Sequence, residues 1–199
     1  MSVHVVLASR SPRRADLLRM LGLDIETVPA DVDETWRPGE DPAAHAERLA
    51  REKAAAVADR RSDAFVIGSD TVVAIDGDVL GKPADQEDAV RMLMRLQGRT
   101  HEVATGVAVR HGGLRSGVER VQVRFRTFDE ETARLYVATG EPMDKAGAYG
   151  IQGYGSTLVE GITGDYFAVM GLPVCLLFRL LHDAGLAYNF RQLTPRPQP

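Results

Sequence analysis

The run Val3-His4-Val5-Val6-Leu7-Ala8 is short, rich in β-branched residues and bounded by polar ones, the pattern of a buried strand. A helix start follows at once: Ser11 is a suitable N-cap and Pro12 fits the first helical position. Leu17, Leu18 and Leu21 form one apolar face, and Gly22 can close the last turn. Strand, tight turn and helix in that order point to an α/β arrangement. The turn itself, Ser9-Arg10-Ser11-Pro12-Arg13-Arg14, is basic. Free N–H groups at a helix start attract anions, whereas a cation there costs roughly 0.3 kcal/mol or more. These arginines therefore either flank a bound anion or are solvated charges paired with acidic neighbours.

The same reading continues along the chain. Asp41-Pro42 opens a second helix through about Arg60. Phe65-Val66-Ile67 and Thr71-Val72-Val73-Ala74-Ile75 read as strand, with Asp76-Gly77 as a hairpin turn. Asp85 caps a helix to about Gln97, closed by Gly98, and strands are expected over Val103 to Val109 and Val121 to Phe125. Asp129 starts a helix ending at Gly140, a last strand pair is expected within Thr157 to Val169, and Pro173 opens a final helix closed by Gly185. Such an order predicts an α/β fold, a mixed sheet flanked by helices, with no linker long enough to divide it. A single domain over 1–193 is expected, followed by a polar, proline-rich disordered tail at 194–199.

Charge and composition exclude several classes. With 24 Lys and Arg against 28 Asp and Glu the net charge is −4, which leaves no broadly basic surface for nucleic acid, so no stable nucleic-acid partner is expected. The most apolar stretch, Phe167 to Leu181, contains Gly171 and Pro173 and is interrupted by Arg179, so no membrane span is expected. The single cysteine, Cys175, lies in an apolar run and reads as a packing residue. One cysteine allows no internal disulfide, and with no signal-peptide pattern at Met1-Ser2-Val3-His4 a reduced, cytoplasmic setting is expected.

Several segments could carry chemistry. Asp70 follows an apolar strand, where a carboxylate can act as metal ligand or base, although ordinary turn aspartates occur there too. Asp31, Asp33 and Glu34 form an acidic cluster that, with Asp70, could supply the oxygen ligands of magnesium or manganese, or could be a solvated loop. Gly77 to Pro83 is not a Walker loop: the glycine spacing is short and Pro83 stands in place of the hydroxyl residue. Lys82 there can reach a phosphate or face water. Histidines 4, 45, 101, 111 and 182 lack zinc-ligand spacing, and no Ser-His-Asp nucleophile elbow is present. The densest segment is Glu141 to Gly153, with glycines at 147, 150 and 153 that allow close backbone approach to a ligand, or simply form a glycine-rich connection. Within it Lys145 could meet phosphate, Tyr149 could stack or pack, and Gln152 offers both a donor and an acceptor.

Taken together, these segments resemble the Maf family of nucleoside triphosphate pyrophosphatases. The resemblance is carried in order by Leu7 to Arg14, Glu52-Lys53-Ala54, Asp70-Thr71-Val72-Val73, Gly81-Lys82-Pro83, Gly98-Arg99-Thr100-His101, Asp144 to Gly153 and Gly171-Leu172-Pro173. It implies a mixed, elongated sheet with a central cleft, similar to that of inosine triphosphate pyrophosphatases, and a homodimer. It also implies hydrolysis between the α and β phosphates with a divalent metal. Asp70 matches the family's catalytic acid/base, while Arg13, Thr71 and Gln152 match positions that mark the branch acting on dTTP and UTP. A sister branch prefers 7-methyl-GTP, and the family's older name suggests a regulator of septum formation, so these stand as alternatives. On this basis Ser9, Arg13, Arg14, Lys53, Thr71, Lys82, Lys145 and Gln152 are expected to bind substrate. Glu34 and Asp70 are expected to hold Mg2+ or Mn2+. Two departures from the family pattern are Ser69, where many relatives have alanine, and Val121, where threonine is frequent.

Overall fold

The computed structural model describes residues 3–196. Its main sheet has seven strands. β1 (Val5–Ala8), wholly buried, lies between β2 (Glu26–Thr27) and β3 (Phe65–Ile75) and runs parallel to both. β4 (Asp78–Leu80) folds back antiparallel on the end of β3. The turn between them places Asp76 and Gly77 at positive φ, as the hairpin reading requires. β5 (Thr100–His111) and β6 (Gly113–Phe125) follow, and β7 (Val159–Thr163) completes the order β2-β1-β3-β5-β6-β7, pairing antiparallel with β6. Parallel and antiparallel neighbours coexist, so the sheet is mixed, and helices flank it.

The helices are α1 (Pro12–Met20), α2 (Pro42–Ala58), α3 (Gln86–Leu96), α4 (Glu130–Ala138), α5 (Tyr166–Met170) and α6 (Val174–Asp183). Asp41, Asp85 and Asp129 cap α2, α3 and α4 by accepting backbone N–H groups of the first turn. α2 sits directly on the sheet. A Cβ added at Gly68 would lie 2.2 Å from the Ala50 carbonyl oxygen, and one at Gly106 would lie 2.3 Å from that of Ala46. Only glycine permits that approach. None of the described helices is long and apolar enough to cross a membrane.

The chain gathers into two compact units. The first comprises Met1–Asp70, Thr105–Glu119 and Gly171–Pro199, and the second Thr71–Ala104 and Arg120–Met170. The first contains an apolar cluster built from Val6, Ala8, Ala50, Ala54, Val57, Val66 and Ala108. The second packs Val73, Leu93, Leu96, Val121, Phe125, Tyr136 and Leu158. β3, β5 and β6 are long enough to supply residues to both, which is why no linker marks a division.

Four readings are corrected. The segment 65–75 is one continuous strand, because Gly68 makes room for α2 and buried Ser69 donates its hydroxyl to carbonyls of Gly106 (2.8 Å) and Gly171 (2.9 Å). The expected strand pair in 157–169 is a single strand, β7, followed by α5. Cys175 is exposed, since Leu177, Leu180 and Leu181 form the buried face of α6. Thr194 and Pro195, expected in a disordered tail, belong to β9 (Leu193–Pro195), which pairs with β8 (Leu186–Tyr188) and is anchored by buried Leu193. Residues 197–199 of that expected tail lie outside the described residues.

Candidate active site

β1 ends at Ala8, level with Gly68 of β3 in the parallel register, which brings Ser9 alongside Ser69 and Asp70. Ser9 is buried, and its hydroxyl oxygen accepts the Ser11 N–H at 3.1 Å and Nη1 of Arg14 at 3.3 Å. Ser11 occupies the N-cap of α1 but makes no side-chain cap bond, so Ser9 ties the turn instead. The first turn of α1 holds Pro12, Arg13 and Arg14 and no acidic residue. Arg14 donates Nε to the Gly171 carbonyl at 2.7 Å, the same oxygen that accepts from Ser69. Burial pulls its guanidinium below the ordinary arginine range; the charge of Asp70 opposes this, Arg13 adds to it, and Glu34 opposes it more weakly. Asp70, Arg13 and Glu34 thus all act on Arg14.

Asp70 is mid-strand rather than at a strand end, and it is the last residue of the first unit on β3. Lys53, on the face of α2 that meets the sheet, is only 8% exposed. Its ammonium sits 2.6 Å from Oδ1 of Asp70 and 2.7 Å from Oε1 of Glu34. One buried cation therefore holds both carboxylates expected to take a metal. Glu34 itself is reached through the irregular segment between β2 and α2, and its side chain is 60% exposed. Among the described residues no group of three or more His, Cys, Asp or Glu is set to hold a metal ion. Two carboxylates fit magnesium or manganese, which take one or two protein carboxylates and complete their shell with water and phosphate oxygens. Asp33 is instead used locally: its Oδ1 accepts the Thr35 N–H at 2.9 Å.

The segment carrying Glu34 is fastened by a network that sequence reasoning missed. Arg48 of α2 grips Glu40 with Nε (2.6 Å) and Nη2 (2.8 Å), donates Nη2 to the Thr35 carbonyl (3.3 Å), and pairs with Glu52 through Nη1. His45 lies 2.8 Å from Glu40 and stacks under Trp36 with ring centroids 4.2 Å apart. The Arg48 hydrogen bonds hold the Glu40 carboxyl down at about 2, against its burial and with help from His45. The only sequence signal was the helical spacing of His45, Arg48 and Glu52 on one side of α2.

The remaining candidates belong to the second unit. Thr71 follows Asp70 on β3 and is half-buried. Lys82, exposed, lies just after β4, and the Gly147 N–H donates to the Gly81 carbonyl at 3.0 Å, tying that loop to the Lys145 segment. Lys145 pairs with Asp144 at 2.7 Å and donates to the Glu141 carbonyl. Glu141 organises the glycine-rich segment: its carboxylate accepts the N–H groups of Tyr154 (2.8 Å) and Gly155 (2.9 Å) and the Tyr136 hydroxyl (2.8 Å). Gln152 is exposed, ahead of the short helical turn Gly153–Leu158. Tyr149 packs in the core, with its hydroxyl 2.9 Å from Nε2 of His101, so it is not a ligand-stacking group. Val121 is fully buried beside Gly164 in the core of the second unit, a packing role. The structure thus joins Ser9, Arg13, Arg14, Glu34, Lys53 and Asp70 in one unit, and places Thr71, Lys82, Lys145 and Gln152 in the other.

Comparison with known proteins sharpens this picture. A family model described as Maf-like protein matches residues 4–184. A dTTP/UTP pyrophosphatase from Koribacter versatilis is 48% identical over 187 residues, covering 94% of this chain and 97% of that protein. Similar enzymes, also named dTTP/UTP pyrophosphatase, are 50% identical in Pelotomaculum thermopropionicum (94% of this chain, 98% of that protein) and 44% identical in Aquifex aeolicus (92% and 97%). Among solved structures, a nucleoside-triphosphatase or dITP/XTP pyrophosphatase from Mycobacterium abscessus aligns at a TM-score of 0.45 and 16% identity, over 92% of this chain and 97% of that one.

Proposed function

Since this chain belongs to the Maf-like protein family, we propose that it is a nucleoside triphosphate pyrophosphatase that hydrolyses dTTP and UTP to the monophosphate and pyrophosphate. The observation that supports this reading best is the cluster in which Lys53 joins Asp70 to Glu34, with Arg14 close enough to sense both carboxylates. Hydrolysis of a phosphoanhydride needs a base for water and cations for the charge that grows on the leaving group. Asp70 accepts the proton as the water oxygen bonds to phosphorus, and the electron pair of the α–β bridge departs with pyrophosphate. Arg13, Arg14, Lys53 and Lys82 neutralise the phosphates, Ser9 steadies Arg14, and Lys145 adds a further cation. Glu34 and Asp70 would hold a Mg2+ or Mn2+ ion, which when bound supplies charge neutralisation at the phosphate oxygens. For the base, Gln152 presents an amide whose acceptor and donor match N3–H and a carbonyl of uracil or thymine, with Thr71 a second branch marker.

The reading includes a cytoplasmic homodimer without a stable nucleic-acid partner; the net charge of −4 supports the last point. Pyrophosphate release from a panel of nucleotides, with a magnesium and manganese titration, tests the assignment. The highest kcat/KM is expected for dTTP and UTP. Preference for 7-methyl-GTP or for purine nucleotides would overturn the substrate assignment, and no release from any nucleotide would overturn the reaction.

A further inference from the structure

Lys53 occupies an unusual position for a residue expected only to touch substrate. Its ammonium is nearly buried and lies within hydrogen-bond distance of both carboxylates of the expected metal site. Arg14 adds a second positive charge that acts on the same two groups. The ammonium occupies one oxygen of each carboxylate, so a divalent cation approaching Glu34 and Asp70 alone must either sit beside that positive charge or displace it. A displaced ammonium gives up both of these partners, in surroundings where an unpaired buried charge is costly. A metal–triphosphate complex arrives differently, because its phosphate oxygens can take Lys53 and Arg14 while its metal takes the carboxylates.

We infer that Lys53 is the resident counter-ion of the Glu34–Asp70 pair and makes this site select the metal–nucleotide complex over the free metal ion. The selectivity is a charge exchange: carboxylates pass from ammonium to metal while the ammonium passes from carboxylate to phosphate. It holds Asp70 in place between turnovers, and it couples metal occupancy to the presence of substrate. This inference rests on the assignment of Glu34 and Asp70 as metal ligands, and its test is arranged so that the two can fail separately.

The test is Mn2+ binding to the full chain without nucleotide, followed by electron paramagnetic resonance of free Mn2+, for the unaltered protein, Lys53→Gln and Lys53→Arg. Removing a like charge a few ångströms from a divalent ion is expected to tighten binding by about tenfold or more in Lys53→Gln. Lys53→Arg, which keeps the charge, stays as weak as the unaltered protein. Thermal melting of each variant establishes that it is folded. Equal or weaker Mn2+ affinity in a folded Lys53→Gln protein overturns the inference. A parallel titration of the unaltered protein with a non-hydrolysable dTTP analogue present, from which the Mn2+ held by the analogue alone is subtracted, separates the two ideas. Tight Mn2+ binding there that Asp70→Asn abolishes keeps the metal assignment even if Lys53→Gln shows no gain. Its absence overturns the metal assignment, and the inference with it.

Discussion

Asp70 is held by a single buried ammonium at 2.6 Å, yet its role in the proposed reaction depends on its charge rather than its shape. Asp70→Asn preserves volume and one acceptor but cannot take a proton, so turnover of dTTP is expected to fall by about 100-fold or more. Steady-state pyrophosphate release on the folded variant checks this, and near-normal kcat would remove Asp70 from the role of base. A second residue-scale expectation concerns His101, which is buried against Phe125 and Tyr149. Burial pushes its imidazole down from 6.5 to about 4. The unfolded chain therefore takes up this proton below pH 6.5 while the folded protein resists until about pH 4, so the group's contribution to stability is full above 6.5 and is lost between those values. The loss amounts to about 3 kcal/mol. Denaturant melts from pH 4 to 7 should show a steeper loss for the unaltered protein than for His101→Phe; parallel curves would contradict it.

Among the elements, α2 does most to assemble the site, carrying Lys53 on its sheet-facing side and His45, Arg48 and Glu52 at the clasp of the Glu34 segment. Glu40 and Arg48 are both largely shielded from water, so Glu40→Gln leaves Arg48 short of its bidentate partner and is expected to cost about 3 kcal/mol near neutral pH. The folded-state value of about 2 lies below the ordinary 4.5, so this contribution is present above pH 4.5 and fades as pH falls toward 2. The difference between variant and parent in chemical unfolding should shrink across that acid range; a difference independent of pH would show that the carboxylate charge is not what matters. The elements themselves were largely legible: Asp41, Asp85 and Asp129 announce their helices, and Asp76-Gly77 its turn, because each acts through neighbours in the chain. Ser69 and Asp70 were misplaced at a strand end because their reasons are distant, in Gly106, Gly171 and Lys53. The Arg48 clasp was hidden for the same reason: its partners Thr35 and Glu40 lie in an irregular segment with no periodicity to read.

At the scale of the whole molecule, the chain's two compact units each supply part of the expected substrate set, with Asp70 and Thr71 adjacent on β3 where one unit ends and the other begins. Long strands feed both cores without a break in composition. A ligand that binds only the folded state stabilises it by mass action, about 2.7 kcal/mol at a hundredfold excess over Kd. For a chain of this size that is roughly 5–10 °C in Tm. A non-hydrolysable dTTP analogue with Mn2+ should produce that shift in a thermal melt, and an analogue of a purine nucleotide at equal concentration a smaller one. Equal shifts would argue against pyrimidine selection.

The bare contacts of α2 with Gly68 and Gly106 bear on how freely the interior can change. Most helices rest on a sheet through a cushion of side chains, so every change of volume in the cushion raises, lowers or tilts the helix. Here, at Gly68 and Gly106, the spacing is gauged by bare sheet backbone against the helix, and only at the sides of these points do apolar side chains fill the gap. Apolar residues elsewhere can drift in size while the 2.6 Å span from Lys53 to Asp70 keeps its calibration. The protein has in effect separated the part of its interior that tolerates wear from the part that sets its measurement.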